Sequence, residues 1–401
     1  MTLPSTLLAP SPSESSEGRL PRGPAHEQVP FNRPFVTGRE ESRLREALER
    51  GYTGGNGPIG AACERLLARV TGAARVLLTH SGTGALEMAA MLAAVGPGDE
   101  VIMPSFTFVS TANAFVLRGA TPVFVDIDST LALDPELTAD AVSERTRAIV
   151  PVHYGGGAAA MDAITQVARD VGAWLIEDAA QGAFAAYRGR ALGTLGQLGA
   201  LSFHETKNLS CGEGGALLVN DPALVERAEI VQEKGTDRLR FVRGEVPAYT
   251  WVDVGSSFLM NELTAAVLLG QLELGQAITA SRRLLWHAYH EAFADAESRE
   301  LATRPRIGPE VHHNGHIYFL LARDRRSRDR AISGLAERGI GAHFHYVPLH
   351  SSAAGLRYGR AHGELRRTDD VADRLVRLPM WVGLTAADVD RIATLTVGLL
   401  R

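Results

Sequence analysis

The sequence contains very little lysine. Among its 41 lysine and arginine residues only Lys207 and Lys234 are lysines, so arginine supplies the other 39. A guanidinium stays protonated in proteins, whereas a lysine whose pKa is lowered can act through its neutral amine and form a Schiff base. Both lysines are therefore candidates for covalent chemistry, and the simple alternative is chance retention in a lysine-poor proteome.

Cysteine, long apolar runs and excess positive charge are also missing. Cys63 and Cys211 are too few and too far apart for a disulfide framework or a metal knuckle, so we expect no metal site and a cytoplasmic protein. No apolar run reaches about 18 residues, so no membrane span is expected. The formal net charge of −5 argues against nucleic-acid binding. The arginine-rich run at 323–330 is interleaved with aspartates, which indicates a solvated loop or a helix start.

The chain is long enough for two domains. Residues 1–29 are rich in Ser, Pro, Gly and Glu and lack the apolar segment of a signal peptide, which predicts a disordered N-terminal extension. A large domain is expected over 30–270. A long helix within 255–295 would lead into the remainder, 271–401, as a linking helix and a small C-terminal α+β domain whose last helix starts near Thr385.

Short β-branched apolar runs alternate with helical stretches from about residue 75. These runs are RVLLT, EVIMPS, TPVFVDID, RAIVPVHY, AWLIEDAA, GALSFHET and GGALLVN. They lack clean polar alternation, as expected for strands covered on both faces. The pattern predicts an α/β fold with a mainly parallel sheet flanked by helices.

Several polar residues follow these strands, where α/β sheets place ligands. Asp178 ends the strand AWLIED, although a helix N-cap is an equally simple interpretation of one such acid. Ser81-Gly82-Thr83-Gly84 lies between a strand and a helix, and its backbone amides would form an anion cup. Ser202 could add a hydroxyl to the same anion. A glycine-rich turn of this kind is common, so the prediction of a ligand site depends on the combination of these residues rather than on any one of them.

The joint pattern fits pyridoxal phosphate. This cofactor needs a lysine for its aldehyde, an acid on its ring nitrogen, an anion cup for its phosphate and a flat side chain on its ring face. Lys207, Asp178 and the turn at 81–84 supply the first three. Phe108 can cover the ring and Gln181 can reach the ring hydroxyl.

Over about residues 30–400 the sequence resembles the DegT–StrS family of pyridoxal-phosphate-dependent sugar-nucleotide aminotransferases, a branch of the fold-type-I aminotransferases. The resemblance is carried by these segments: GDEVIMPSFTFVSTANAFVLRGA (98–120), IVPVHYGG (149–156), EDAAQG (177–182), RALGT (190–194), SFHETKN (202–208), GEGGA (212–216), EKGT (233–236), YTW (249–251) and FHYVPLH (344–350). It implies a fold-type-I large domain with a smaller C-terminal domain.

The resemblance also implies the cofactor contacts. They are Lys207 as the Schiff-base lysine, Asp178 on the ring nitrogen, Gln181 on the ring oxygen, Phe108 on the ring face, and Gly82, Thr83 and Ser202 on the phosphate. Many family members place an asparagine from the partner subunit on this phosphate, and here Leu259 stands at that position. Ser256, Ser257 and Asn261 are the candidate substitutes.

The implied reaction uses L-glutamate as amino donor in a homodimer with shared active sites. The acceptor implied is dTDP-4-keto-6-deoxy-D-glucose, aminated at C4. The resemblance favours the galacto product, whereas we expect dTDP-4-amino-4,6-dideoxy-D-glucose on the evidence of the arginine bias. The galacto epimer and C3 amination of a 3-keto sugar nucleotide are alternatives. The arginine bias indicates a high-GC genome, where gluco 4-amino sugars often decorate secondary metabolites such as antibiotics.

Substrate contacts are expected from a loop and from histidines. The candidates are Lys234, Arg238, Arg240, Arg243, Tyr249 and Trp251 in the loop, and His153, His316, His345 and His350 elsewhere. Solvated arginines and structural histidines are the simple alternatives. Two other functions remain open: a sugar dehydratase, which typically has a histidine in place of the lysine, and a non-catalytic regulatory protein of the same fold.

Overall fold

The computed structural model describes residues 20, 21 and 23–401. Its strands are β1 (Arg75–Thr79), β2 (Glu100–Pro104), β3 (Thr121–Val125), β4 (Thr146–Ile149), β5 (Trp174–Asp178), β6 (Ala186–Tyr187), β7 (Arg190–Ala191), β8 (Leu198–Ser202), β9 (Gly215–Val219), β10 (Ala302–Thr303), β11 (Val311–His312), β12 (Tyr318–Ala322), β13 (Arg360–Ala361) and β14 (Leu375–Leu378). All seven predicted apolar runs form strands, shorter by a few residues where the run leads into a polar loop.

The α-helices surround these strands. They are α1 (Glu40–Glu49), α2 (Pro58–Thr71), α3 (Gly82–Leu92), α4 (Val109–Val116), α5 (Pro135–Asp140), α6 (Met161–Asp170), α7 (Val225–Gln232), α8 (Arg238–Val242), α9 (Glu262–Leu272), α10 (Gly275–Ala292), α11 (Ala294–Ser298), α12 (Arg325–Ala336), α13 (Ala353–Tyr358), α14 (Arg366–Arg374) and α15 (Ala386–Leu400). The arginine-rich run at 323–330 begins α12, and Thr385 caps α15 through a capping box.

The large sheet has the strand order β1-β9-β8-β5-β4-β2-β3-β13. The pairs from β8 to β13 are parallel, and β9 runs antiparallel to both neighbours. Strands β2, β8 and β9 are buried along their whole length, which explains their apolar composition. The predicted α/β class is confirmed. Since β1, β2, β5 and β8 point the same way, the residues that follow them meet at one edge.

A second core lies under the C-terminal part of the chain. Strands β10, β12 and β14 form a small antiparallel sheet that packs with α10, α12 and α15. Strand β13 leaves this region and pairs with β3, so residues 360–361 extend the large sheet. The domain boundary near 270 remains a prediction.

Two sequence expectations need correction. The single long helix is two helices, α9 and α10, which meet at an angle of 60°. The expected disordered extension over 1–29 lies mostly outside the described residues. Its last residues pack on the second core: Val29 is buried and its amide donates to the Gly339 carbonyl, while the His26 amide donates to Asp388.

In the described part of the chain no single helix is long and apolar enough to cross a membrane, although the bent pair α9 and α10 meets that test by length and composition. Among the same residues no group of three or more His, Cys, Asp or Glu is arranged to hold a metal ion.

Candidate active site

A cavity of about 580 Å³ opens where the strands of the large sheet end. Its walls come from the residues after β1, β2, β5 and β8 and from the second core. The lining residues include Ser81, Gly82, Thr83, Phe108, Asp178, Gln181, Ser202, Lys207, Arg282, His316, His345, Tyr346 and Arg377. The cavity therefore collects seven of the eight residues expected to contact the cofactor.

Lys207 lies in the turn that follows β8. Its backbone amide donates to the His204 carbonyl at 2.9 Å, which fixes the turn. Burial lowers the pKa of the Lys207 ammonium to about 8; the nearby Asp178 carboxylate opposes this change and Arg377 adds to it. A substantial fraction of Lys207 is therefore a neutral amine at mildly alkaline pH.

Asp178 is the last residue of β5 and is only 5% exposed. One carboxylate oxygen accepts a hydrogen bond from the Thr111 hydroxyl at 2.6 Å, and the other accepts from the Ala180 amide at 3.1 Å. Thr111 also bonds the Thr107 hydroxyl at 2.8 Å. These donors orient the carboxyl group, whose oxygens can still accept a further N–H.

The backbone after β1 forms the anion cup. Ser81 caps α3 by accepting from the Gly84 amide at 3.0 Å, so the amides of Gly82 and Thr83 begin the helix. The Thr83 hydroxyl bonds the Ser110 hydroxyl at 2.7 Å. A Cβ at position 82 would lie 2.9 Å from the Ser202 Cβ, so only glycine lets the helix end approach Ser202 this closely.

Phe108 and Gln181 complete the surroundings of a flat ring. Phe108 is 59% exposed although it lines the cavity, so its ring offers an open aromatic face. The Gln181 amide is fixed at both ends: its oxygen accepts from the Gly155 amide at 2.6 Å and its nitrogen donates to the Tyr346 hydroxyl at 3.0 Å. With Lys207 and Asp178, these groups match the donor set that pyridoxal phosphate requires.

Two of the candidate histidines line the cavity in a neutral state. Burial lowers the pKa of His316 well below its usual value, and the pKa of His345 to about 2. His316 shares a hydrogen bond of 2.8 Å with Asn208, and His345 shares one of 3.0 Å with the Tyr154 hydroxyl. At neutral pH both rings act as polar walls rather than as cations.

Three candidate site residues, His153, Asn261 and His350, do not line the cavity of their own chain. His153 is fully buried behind it and bonds the Glu177 carboxylate at 2.8 Å, so it is a structural histidine. Asn261 caps α9, because its Oδ1 accepts from the Thr264 amide at 2.9 Å, and its contact with the partner subunit's phosphate remains a prediction. Ser256 and Ser257, the other candidates, are exposed. His350 bonds Ser105 at 2.8 Å and does not line the cavity.

The loop candidates lie away from the cavity of their own chain. Each arginine pairs with a carboxylate: Arg238 with Glu233 at 3.0 Å, Arg240 with Glu226 at 3.1 Å and Arg243 with Glu229 at 2.7 Å. Lys234 also pairs with Glu233, at 3.0 Å. Tyr249 and Trp251 are 51% and 78% exposed. Their role as substrate contacts remains a prediction that requires a second subunit.

Sequence reasoning missed three residues of the site. Thr111 holds Asp178, Tyr346 holds Gln181, and Arg377 supplies a cation to the cavity. The segment FHYVPLH contains Tyr346, so the resemblance could have drawn attention to it. No sequence pattern pointed to Thr111 or Arg377.

Comparisons with known proteins agree with this site. Residues 36–396 match the model of the DegT/DnrJ/EryC1/StrS aminotransferase family. The aminotransferase TlmJ from Streptoalloteichus hindustanus is 30% identical, with 93% of this chain and 98% of that chain covered and a TM-score of 0.84. A DegT DnrJ EryC1 StrS aminotransferase from Brucella abortus is 31% identical, with coverage of 90% and 95% and a TM-score of 0.81.

A third structure supports the fold alone. The putative sugar aminotransferase Spr1654 from Streptococcus pneumoniae, in its PLP form, is 24% identical, covers 93% of this chain and 98% of that chain, and has a TM-score of 0.85.

Proposed function

Because the chain belongs to the DegT/DnrJ/EryC1/StrS aminotransferase family and is a PLP-dependent sugar aminotransferase, we propose that it transfers the amino group of L-glutamate to C4 of dTDP-4-keto-6-deoxy-D-glucose. The observation that supports the proposal most strongly is the position of Lys207 in the cavity. Its amine of lowered pKa shares one cavity with Asp178 and the anion cup. A dehydratase of the type weighed above would not need this lysine.

The residues present fit the cofactor. When bound, pyridoxal phosphate supplies an aldehyde that holds the amino group and a ring that accepts electrons. The amides of Gly82 and Thr83 and the Ser202 hydroxyl would hold its phosphate. Asp178 would hold the proton on the ring nitrogen, and Phe108 would cover one ring face.

Lys207 has the proton-transfer role. Its neutral amine would take the proton from the donor Cα and hold it within the cavity for the return transfer. The lowered pKa keeps this amine available near physiological pH. The neutral rings of His316 and His345 add hydrogen-bonding groups to the cavity without competing for the proton.

The expected product is dTDP-4-amino-4,6-dideoxy-D-glucose, made by a homodimer in the cytoplasm for the biosynthesis of deoxyamino sugars, including those of antibiotics. Support for C4 comes from the segments around Phe108, Lys207 and Tyr346, which resemble the C4-aminating branch. The galacto epimer and C3 amination are the alternatives to be tested. The nucleotide's diphosphate would be bound by the loop arginines of the partner subunit.

Product analysis tests the reaction and its stereochemistry together. The protein is incubated with pyridoxal phosphate, L-glutamate and dTDP-4-keto-6-deoxy-D-glucose, and the H3–H4 and H4–H5 proton couplings of the product are measured. Two large couplings are expected and indicate gluco. Two small couplings would indicate galacto, and an amine at C3 or no amino sugar would overturn the assignment to C4.

Lys207→Arg provides the test of the lysine, with Lys234→Arg as its matched control. The arginine cannot condense with an aldehyde, so the visible absorbance of the bound cofactor and the activity should both be lost. Lys234 is half exposed and paired with Glu233, so its variant should keep both. The reverse result would show that the wrong lysine was assigned.

A further inference from the structure

His350 belongs to a group of three side chains outside the cavity. Its Nδ1 shares a hydrogen bond of 2.8 Å with the Ser105 hydroxyl, and its Nε2 lies 3.6 Å from the Asp369 carboxylate. Serine, histidine and aspartate in this order also form the nucleophilic triads of hydrolases. Here the serine is fully buried and does not line the cavity, so a substrate cannot reach its hydroxyl. Its contacts instead fix the chain that leads to His350.

A segment held at both ends leads to His350. Residues 343–350, HFHYVPLH, are called the bridging segment below. At its start the His343 amide donates to the Arg377 carbonyl at 3.2 Å, and the Arg377 amide donates to the His343 carbonyl at 2.8 Å, which attaches it to β14. At its end the last two amides donate to Ser105, one to the carbonyl at 3.1 Å and one to the hydroxyl at 3.0 Å. Since Ser105 directly follows β2, the bridging segment joins the second core to the large sheet.

Tyr346, in the middle of the bridging segment, reaches the cavity. Its ring packs against Phe106 and Tyr154, with ring centroids 5.4 Å and 5.9 Å away. Phe106 is buried and directly follows Ser105, so two successive residues of the large domain contact the bridging segment at Tyr346 and at His350. Only three residues, one of them a proline, separate Tyr346 from His350. A shift of His350 away from Ser105 would therefore also move Tyr346.

The Tyr346 hydroxyl orients the Gln181 amide. It accepts from Gln181 Nε2 at 3.0 Å, while Gln181 Oε1 accepts from the Gly155 amide at 2.6 Å. A carboxamide nitrogen has two hydrogens, so one remains for a ligand in the cavity. Without the Tyr346 hydroxyl, the Gly155 contact would hold the oxygen end of the amide and the nitrogen end would lose this partner. Tyr346 therefore sets the direction of the remaining Gln181 N–H.

We propose that Ser105 and His350 are positioning residues that hold Tyr346 so that the remaining N–H of Gln181 faces the ring oxygen of the cofactor. This role rests on the proposed function and on the expected contact of Gln181 with that oxygen. A donated N–H stabilises negative charge on the oxygen, most strongly when the adjacent nitrogen that links the cofactor to Lys207 has lost its proton. The hydrogen bond therefore lowers the pH at which the visible band of the bound cofactor changes. Ser105 and His350 tune this pH without touching the cofactor.

A pH titration of the visible band tests this role in protein loaded with pyridoxal phosphate alone. Gln181→Ala should raise the midpoint of the titration by about one pH unit, because the donor is lost. Ser105→Ala and His350→Leu should each raise it by at least about 0.3 unit, because the donor remains but is misaligned. His350→Asn can keep a hydrogen bond to the Ser105 hydroxyl and should bring the midpoint back towards the wild-type value.

His362→Asn is the matched control. His362 pairs with the exposed Asp140 and lies outside the cavity, so its variant should titrate as wild type. A shift in this control as large as that of His350→Leu would overturn the proposal, because it would show that loss of any such histidine moves the midpoint.

A double variant separates positioning from a general loss of stability. Tyr346→Phe removes the hydroxyl and keeps the ring. If Ser105 acts through that hydroxyl, Ser105→Ala combined with Tyr346→Phe should have the midpoint of Tyr346→Phe alone, whereas additive shifts would overturn the proposal. His350→Leu replaces Ser105→Ala in the double variant if the latter does not fold. A lower urea midpoint of unfolding with an unchanged titration in both single variants would show a merely structural contact and would also overturn it.

The titration needs no sugar nucleotide, so its outcome is separate from that of the product analysis. If wild type forms the visible band but does not aminate the sugar, the proposed function fails, and the predicted shifts would still establish the positioning role. If Gln181→Ala leaves the midpoint unchanged, the positioning role is overturned, and amination of the sugar would still support the proposed function.

Discussion

At the scale of single residues, the two lysines lie in environments that require different things of them. Lys234 is half exposed and pairs with Glu233, and this pair requires only a positive charge, which arginine could also supply. Lys207 needs to lose its proton, and burial in the cavity lowers its pKa to about 8. A guanidinium would remain charged in the same place. Arginine therefore cannot take over the role of the lysine at position 207.

The pH dependence of the free lysine follows from this shift. In protein freed of cofactor, raising the pH through about 8 converts the Lys207 ammonium to the reactive amine, whereas an exposed lysine follows near its usual 10.5. The rate at which added pyridoxal phosphate forms its visible band should therefore rise with a midpoint of about 8. Lys234→Arg should give the same profile. A midpoint near 10.5 would contradict the shift.

Asp178→Asn tests the acid at the end of β5. The amide cannot hold a proton on the ring nitrogen as an ionised acid does, and losing a preorganised charge costs on the order of 10²-fold or more in rate. Turnover should fall by that amount while the fold and cofactor binding persist. Thr111→Val, which removes the hydroxyl at 2.6 Å, should cost much less. Near-normal turnover in Asp178→Asn would remove Asp178 from the mechanism.

At the scale of elements, the strands could be predicted and one helix could not. Parallel strands buried on both faces have apolar runs that are visible without knowledge of their neighbours. The break between α9 and α10 has no such signal in the helical pattern. A Cβ at Gly275 would lie 2.3 Å from the Phe184 ring, so the start of α10 depends on a residue of a distant segment. Only the folded chain shows this contact.

The same distinction applies to the site. Asp178 ends a strand, and Lys207 and the cup at 81–84 follow strands, so their meeting at one edge could be predicted from the expected parallel sheet. Arg377 comes from β14 and Tyr346 from the segment before α13, and both reach the cavity through the packing of the second core. His153 was expected in the site and does not reach the cavity, because it bonds the Glu177 carboxylate inside the protein.

The contact between α10 and the segment before β12 should make the protein sensitive to acid. His313 packs against Trp286 with ring centroids 4.5 Å apart, and burial, followed by the charge of Arg283, lowers its pKa to about 3. Below about pH 6.5 the His313 imidazole is protonated in the unfolded chain but stays neutral in the folded chain. Stability is therefore lost as the pH falls from about 6.5 to 3, by about 2 kcal/mol at pH 5 for this group.

His313→Asn removes that proton site and retains an acceptor for the Gly315 amide, which His313 Nδ1 holds at 3.2 Å. Urea unfolding at pH 7.5 and pH 5 should show that the variant loses about 2 kcal/mol less than wild type between the two values. The other buried histidines keep part of the acid sensitivity. His362→Asn, at a pair with the exposed Asp140, serves as the control. Equal losses in wild type and His313→Asn would refute the assignment.

At the scale of the whole molecule, we propose that a second subunit completes the substrate site. The segment after α7, which includes α8 and the loop that follows it, exposes Trp251, Tyr249 and Phe241, by 78%, 51% and 43%, and its arginines lie away from the cavity. Exposed aromatics grouped on one loop are typical of an interface. The carboxylates that pair with the arginines also fix their side chains, so that a diphosphate would meet a preorganised surface.

Mixed dimers test whether this loop serves the partner's cavity. One parent has Lys207→Ala and an intact loop; the other has Lys207 and alanine at Arg238, Arg240 and Arg243. The Lys207→Ala homodimer should be inactive, and the homodimer without the three arginines should bind the sugar nucleotide more weakly. If the loop acts across the interface, a mixed dimer contains one complete site, and random pairing of equal amounts should restore about a quarter of wild-type activity. If the loop acted on its own chain, no site in the mixture would be complete and no activity would return.

Refolding or subunit exchange followed by the coupled amination assay gives the measurement. Trp251→Glu in both parents should abolish the recovery by preventing association.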